Sequence, residues 1–210
     1  MIDLLTVEKQ FIEPHVKKGG IAVDFTMGNG HDTKWLSDTV GEDGRVYAFD
    51  IQEQALSSTS RLLSESGCYK NYELILDSHA NVKKYVSGPI CAGMFNLGYL
   101  PGGDKSVTTL RPSTLEAVKA GIELLDHDGG LLIAVYPGHE EGTLEGQMLT
   151  EYLSTLSRFQ VCVSKFQIIN SPSSPFFFLI EKKWSGGHIK NDRTKRDHTD
   201  HIVINSSYTL

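Results

Sequence analysis

With 210 residues, 20 Lys and Arg against 26 Asp and Glu, and a formal net charge of −6, the chain is sized for one well-buried domain and has no overall basic character with which to grip a polyphosphate backbone. Hydrophobic residues at 40% and charged residues at 22% exclude the collagen-like and disordered classes. Cys68, Cys91 and Cys162 form no CxxC pair and support neither a disulfide framework nor a zinc site, and no apolar run nears the roughly 20 residues of a membrane helix.

Acidic Asp3, Glu8 and Glu13 interrupt the N-terminus where a signal peptide would be apolar, so the expected compartment is the cytoplasm, with no membrane partner. Leu4, Leu5, Phe11 and Ile12 fall at helical spacing, and the compact run IAVDF (21–25) reads as a buried strand. A Gly-containing turn, a helix near 32–39 and a strand RVYAFD (45–50) complete a strand-helix-strand unit, so the sheet begins parallel. The alternation continues through a helix near 53–66, strand YELIL (72–76), a short helix near 79–86 and strand ICAGMFN (90–96). Beyond a Gly-rich loop come a helix near 113–125, strand GLLIAVY (130–136), a helix near 143–156 and two closing strands near 160–167 and 175–181. Only the last two lack an intervening helical pattern, so they are expected to pair antiparallel at one sheet edge. The fold class is therefore α/β: a doubly wound, mostly parallel seven-stranded sheet with an antiparallel terminal hairpin, its ligand crevice at the carboxyl ends of the strands. Residues 1–183 form the expected domain, and the polar stretch 184–210 reads as a tail, disordered or foreign to the native chain.

The motifs cluster at those carboxyl ends. In DFTMGNGHDT (24–33), Gly28 and Gly30 would let the backbone approach a ligand where the following helix offers free N–H groups, which makes the segment a nucleotide-site candidate. Thr33 stands where the dinucleotide fingerprint has its third glycine, which disfavours a dehydrogenase. Asp50 ends the second strand and can accept both hydroxyl hydrogens of a ribose, or cap the next helix; the two roles can coexist. Asp77, Ser78 and His79 can read the edge of an adenine or serve as a helix cap, and the residues alone leave these level.

NLGYLPGGDK (96–105) follows the fourth strand. It resembles the Asn-Pro-Pro-Tyr class of loop in amine methyltransferases, in which the Asn side-chain oxygen and a backbone carbonyl accept from an amino group and aim its lone pair at a methyl sulfonium. Asn96 and Tyr99 would then be the catalytic pair, Tyr99 offering a π face to developing positive charge. The plainer alternative makes Asn96 a strand terminator and Gly102 and Gly103 an ordinary turn. Asp104 and Lys105 would touch substrate or stay solvated. YPGHEEG (136–142) brings Tyr136, His139 and Glu140 to the crevice rim as substrate contacts, and without HExxH or further placed ligands no metal is expected. His15 and His127 have no partner pattern and read as surface or capping residues. No GxSxG or P-loop occurs, against a hydrolase or an NTPase.

Taken in order, DFTMGNGHDT, FDIQ, DSHA, FNLGYLPGGDK and YPGHEEG resemble a small bacterial family of class I, Rossmann-like S-adenosylmethionine-dependent methyltransferases first labelled rRNA methylases, over residues 1–183. The resemblance implies methylation of the aminomethyl group of 5-aminomethyl-2-thiouridine at the tRNA wobble position, with the tRNA anticodon loop as partner. It places Asp24, Thr26, Asn29, His31, Asp32 and Thr33 around the methionine moiety, Asp50 and Gln52 on ribose and adenine, and Ser78 and His79 at the adenine edge. Asn96 to Tyr99 would meet the methyl group, Leu97 on the cofactor side and Gly98 on the substrate side. Pro137, before GHEEG, and the single Pro175 depart from the family pattern. A small-molecule amine methyltransferase and a non-catalytic nucleoside binder are the competing readings, and oligomeric state is left open, a homodimer being one outcome.

Overall fold

The structure, a computed structural model, describes residues 4–100, 102 and 108–183. Asp104, Lys105 and the stretch 184–210 therefore lie outside the described residues. Strand β1 (Ile21–Asp24) is followed by α2 (His31–Val40), β2 (Arg45–Asp50), α3 (Glu53–Glu65), β3 (Tyr72–Leu76), a 3-10 helix (His79–Lys84) and β4 (Ile90–Leu97). After these come α4 (Arg111–Leu124), β5 (Leu125–Val135), α5 (Glu140–Ser154), β6 (Val161–Phe166) and β7 (Phe176–Lys182), and α1 (Leu4–Ile12) precedes them all. The sheet has seven strands in the order β3-β2-β1-β4-β5-β7-β6. Strands β1 to β5 run parallel, and β7 slots antiparallel between β5 and β6.

Strand order reverses between β1 and β4, so their carboxyl ends, at Asp24 and Leu97, diverge into a crevice. The central strands read as unbroken apolar runs because both faces are covered. Along β5, Leu131, Ile133 and Val135 join the core under α4 and α5, whereas Leu132 and Ala134 join the opposite core with Ile12 of α1 and Leu36 and Val40 of α2. Phe11 of α1 packs on Phe166 and Phe177, ring centroids 4.4 and 5.4 Å away, which seats the N-terminal helix across the β6–β7 hairpin.

Two expectations shift. Strand β5 begins at Leu125 rather than Gly130, because Leu125 pairs with Ile90 and Gly130 with Ala92, leaving residues 126–129 looped out with Asp128 at φ 60°. His15 is not a plain surface or capping residue: its Nδ1–H donates to the Asp128 carbonyl at 2.6 Å and its Nε2 lies 3.5 Å from Glu181, stapling the N-terminal segment to that bulge.

Candidate functional site

The floor of the crevice is the β1–α2 turn. Asp24, fully buried, accepts the Thr26 N–H at 3.1 Å on one carboxylate oxygen and the Thr33 hydroxyl at 2.6 Å on the other. Burial, then the nearby Asp32 charge, pushes its carboxyl up to about 7. Gly28 has φ 53° and its N–H donates to Asp50 at 3.0 Å, while a Cβ on it would meet nothing closer than 3.7 Å. Gly30 is different: a Cβ there would lie 2.7 Å from the Thr59 hydroxyl and 3.0 Å from its Cα, so this glycine serves the close approach of α3 rather than of a ligand. Thr33, at the third fingerprint position, is buried with its hydroxyl on Asp24.

Asp50 spends one oxygen on Gly28 and the other on the Gln52 N–H at 3.0 Å, which leaves lone pairs on both for a diol. Next along the sheet, Asp77 accepts from the Ser78 N–H at 2.7 Å, the Asn81 amide at 2.8 Å and the Tyr85 hydroxyl at 2.9 Å, the Asn81 bond foremost in holding its carboxyl below the usual range. Ser78 caps the following 3-10 helix by accepting the Ala80 N–H, so the capping reading of this segment is present in the structure alongside its place on the cavity wall. His79 is 9% exposed and donates from Nδ1 to the Phe25 carbonyl at 3.0 Å; burial lowers its pKa, so the ring is neutral with Nε2 as an acceptor.

At the β4 end, Asn96 is fixed from three sides. Its N–H donates to the Thr26 hydroxyl at 2.7 Å, its side-chain N–H to Asp32 at 2.6 Å, and its side-chain oxygen accepts the Tyr136 hydroxyl at 3.2 Å. The second Asp32 oxygen is paired with Lys9 Nζ at 2.6 Å, and Lys9 sits over the Trp35 ring. The amide orientation is thus dictated: Asp32 can only accept, so the nitrogen faces it and the oxygen faces the Tyr136 hydroxyl.

The wall beyond is built by the segment after the Gly-rich loop. Tyr99 bridges to Thr108, the Thr109 N–H donates to the Gly98 carbonyl at 3.0 Å, and buried Glu145 of α5 accepts the hydroxyls of Thr109 at 2.8 Å and Thr114 at 2.5 Å. Burial raises the Glu145 carboxyl, and its two threonine partners anchor this wall to α5. His139 caps α5 by accepting the Gly142 N–H at Nδ1, 3.1 Å away, and its ring lies 5.9 Å from that of Tyr99.

These pieces enclose one cavity of about 870 Å³. Thr26, Gly28, Asn29, His31, Asp32, Asp50, Gln52, Asp77, Ser78, His79, Asn96, Leu97, Gly98, Tyr99, Tyr136 and His139 all line it. Asp24, Gly30 and Thr33 do not line it; they brace the turn from beneath. Glu140, exposed on the first turn of α5, also lies off the lining, and the Tyr136 hydroxyl is spent on Asn96. Sequence reasoning missed Lys9, Thr108, Ser113 and Ser173 and named Pro175 only as a departure from the family pattern; Ser173 and Pro175 reach the cavity because β7 is inserted beside β5. Among the described residues, no group of three His, Cys, Asp or Glu could hold a metal, and no helix is long and apolar enough to cross a membrane.

Comparison with known proteins gives a consistent outcome. A family model described as "Putative rRNA methylase" matches residues 46–182. The chloroplastic tRNA (mnm(5)s(2)U34)-methyltransferase of Arabidopsis thaliana is 37% identical over 184 residues, 81% of this chain and 66% of that protein, so the chain spans about two thirds of that relative's length. A crystal structure titled as a putative rRNA-methylase, from Clostridium thermocellum, superposes with a TM-score of 0.84 at 37% identity, covering 87% of this chain and 98% of that one. A putative methyltransferase from Streptococcus mutans, solved in complex with SAH, gives 0.78 at 39% identity over 87% of this chain and 99% of its own.

Proposed function

The chain belongs to the rRNA methylase family of S-adenosylmethionine-dependent methyltransferases, and from that premise we propose that it methylates the aminomethyl group of 5-aminomethyl-2-thiouridine at the wobble position of tRNA. The observation that carries this reading is Asn96. A side-chain oxygen fixed in the cavity wall by the Asp32 and Tyr136 bonds can accept the N–H of an amine, and an amine, unlike a hydroxyl, attacks without needing a base.

The residues present fit S-adenosylmethionine. Asp50 retains lone pairs for a ribose diol, Gly28 opens the floor, and a cavity of about 870 Å³ holds a nucleoside with its amino-acid arm and leaves room for an acceptor. When bound, this cofactor supplies an electrophilic methyl on a sulfonium. The chain would do the rest by placement: of the cavity-lining residues, Asn29, His31 and Asp32 would hold the amino-acid arm, Ser78 and His79 the base, and Asn96 would orient the attacking lone pair. Tyr99, 38% exposed at the rim, offers its face to the positive charge that develops on nitrogen. The amine attacks as the neutral base, and the proton of the product ammonium passes to solvent.

Recognition of the anticodon loop belongs to the same proposal. Single-stranded loops are read by stacking and base edges, so an acidic chain binds one through a small local surface rather than a basic face. The 37% identical chloroplast relative bears the name of a wobble-uridine methyltransferase, which supports the same acceptor. A homodimer belongs to the proposal only as an outcome that sizing of the purified protein settles. The test is nucleoside mass spectrometry of tRNA from a strain lacking the gene. Accumulation of the aminomethyl nucleoside with loss of its methylated form is expected; unchanged wobble nucleosides would move the function to small-molecule amines.

A further inference from the structure

Two polar atoms in the cavity wall are buried without a hydrogen-bond partner among the described residues: Nε2 of His139 and the Thr108 hydroxyl. An isolated buried donor pays for its desolvation and receives nothing back, so it marks either a defect or a place kept for a ligand. The capping bond decides the chemistry of the first. His139 Nδ1 accepts the Gly142 N–H, so it carries no proton, and the ring proton must sit on Nε2. Nε2 is therefore an N–H donor, fixed in that role by the helix it caps. Its place is also known: a Cβ built on Gly98 would have His139 Nε2 as its nearest neighbour, at 4.0 Å. The donor therefore lies beside the Asn96–Tyr99 loop, whose Tyr99 ring is 5.9 Å from the imidazole.

A cap alone does not call for this residue. Asp and Ser cap helices better, and neither would leave a buried N–H over. We propose that His139 is a specificity-determining residue for the acceptor base, its Nε2–H donating to the ring carbonyl next to the carbon that bears the aminomethyl group, with Thr108 as an adaptable second contact. This rests on the wobble-amine reading above. Asn96 holds the amine, Gly98 lies two residues on, and His139 stands over Gly98. The base atom nearest to a C5 substituent on that side is the C4 oxygen. A uracil-type base offers an acceptor there, whereas a cytosine-type base offers an amino group, which would set two donors against each other.

The experiment compares two anticodon stem-loops, one with 5-aminomethyluridine and one with 5-aminomethylcytidine at the wobble position, methylated by the full chain, by His139→Asn and by Thr108→Val. Asn and Ser preserve the helix cap and keep α5 begun; His139→Asn withdraws the Nε2–H, its own amide N–H falling short of that position, and His139→Ser beside it carries no side-chain N–H at all. The full chain should prefer the uridine stem-loop by at least about tenfold in kcat/KM. His139→Asn should lose about tenfold on uridine and bring the preference close to unity, with S-adenosylmethionine affinity and Tm unchanged. Thr108→Val should lower both rates and keep the preference, because a hydroxyl donates or accepts. A preference retained in both His139 variants overturns the assignment alone. Binding of S-adenosylmethionine with no methylation of either stem-loop by the full chain overturns the wobble-amine reading, and this assignment with it.

Discussion

Replacing Asn96 with alanine removes an amide that makes two side-chain bonds, 2.6 Å to Asp32 and 3.2 Å from Tyr136. Neither partner is stranded, since Asp32 keeps Lys9 at 2.6 Å and both Asp32 and Tyr136 line a cavity that admits water. The loss of stability is accordingly about 1 to 2 kcal/mol. The loss of rate is larger. The amine of the acceptor no longer has its N–H held, and a misdirected nucleophile slows reaction by about a hundredfold, or roughly 2.7 kcal/mol of activation free energy. Cofactor affinity should stay within about threefold, less than 1 kcal/mol, because Asp50, Gly28 and His79 are untouched. Single-turnover methyl transfer with radiolabelled S-adenosylmethionine measures the rate, and calorimetry measures the affinity. A single-turnover rate equal to that of the unaltered chain would refute the orienting role of Asn96.

Three further outcomes follow from the site. Asp50→Ala should weaken S-adenosylmethionine binding by about 1 to 3 kcal/mol through lost charged hydrogen bonds, and the unaltered chain should not bind NAD; binding of NAD but not S-adenosylmethionine by calorimetry contradicts the cofactor assignment. Lys9→Met should cost no more than about 1 kcal/mol in a urea melt, its pair with Asp32 being partly exposed, yet should slow methyl transfer several-fold by loosening the Asp32–Asn96 bond; an unaltered rate removes Lys9 from the positioning chain. Asp24 binds its proton more tightly folded than unfolded, from 3.8 to about 7, so between those values the folded state holds the extra proton and stability falls as pH rises, levelling off above about 7. This contribution reaches on the order of 4 kcal/mol at most, and denaturant melts of Asp24→Asn should show a flatter profile over that window; an identical slope in the variant would refute it. His79, depressed by burial, acts oppositely, contributing stability above its ordinary value near 6.5 that is lost on acidification.

Much of the fold is legible because this sheet is covered on both faces. Runs such as residues 131–135 are apolar at every position, and each parallel strand is separated from the next by a helical pattern or a short 3-10 turn. The site residues at the ends of β1, β2, β3 and β4 were legible for the same reason, since topology alone brings carboxyl ends together. Lys9 was not, because one lysine on an amphipathic surface helix has no local mark, and only the packing of α1 through Phe11 brings it to Asp32. Asp24 and Thr33 are adjacent in motif to true lining residues, and which side of a tight turn a side chain takes depends on φ at Gly28 and Gly30 rather than on spacing. Ser173 and Pro175 needed the insertion of β7 between β5 and β6, which a hairpin pattern does not specify.

The most direct measurement gives the purified chain radiolabelled S-adenosylmethionine and two matched tRNAs, one carrying 5-aminomethyl-2-thiouridine at the wobble position and one lacking the aminomethyl group. Label should enter the first as the methylaminomethyl nucleoside and leave the second blank. Equal labelling of both tRNAs, or of neither while a free small amine is methylated, would contradict the assignment.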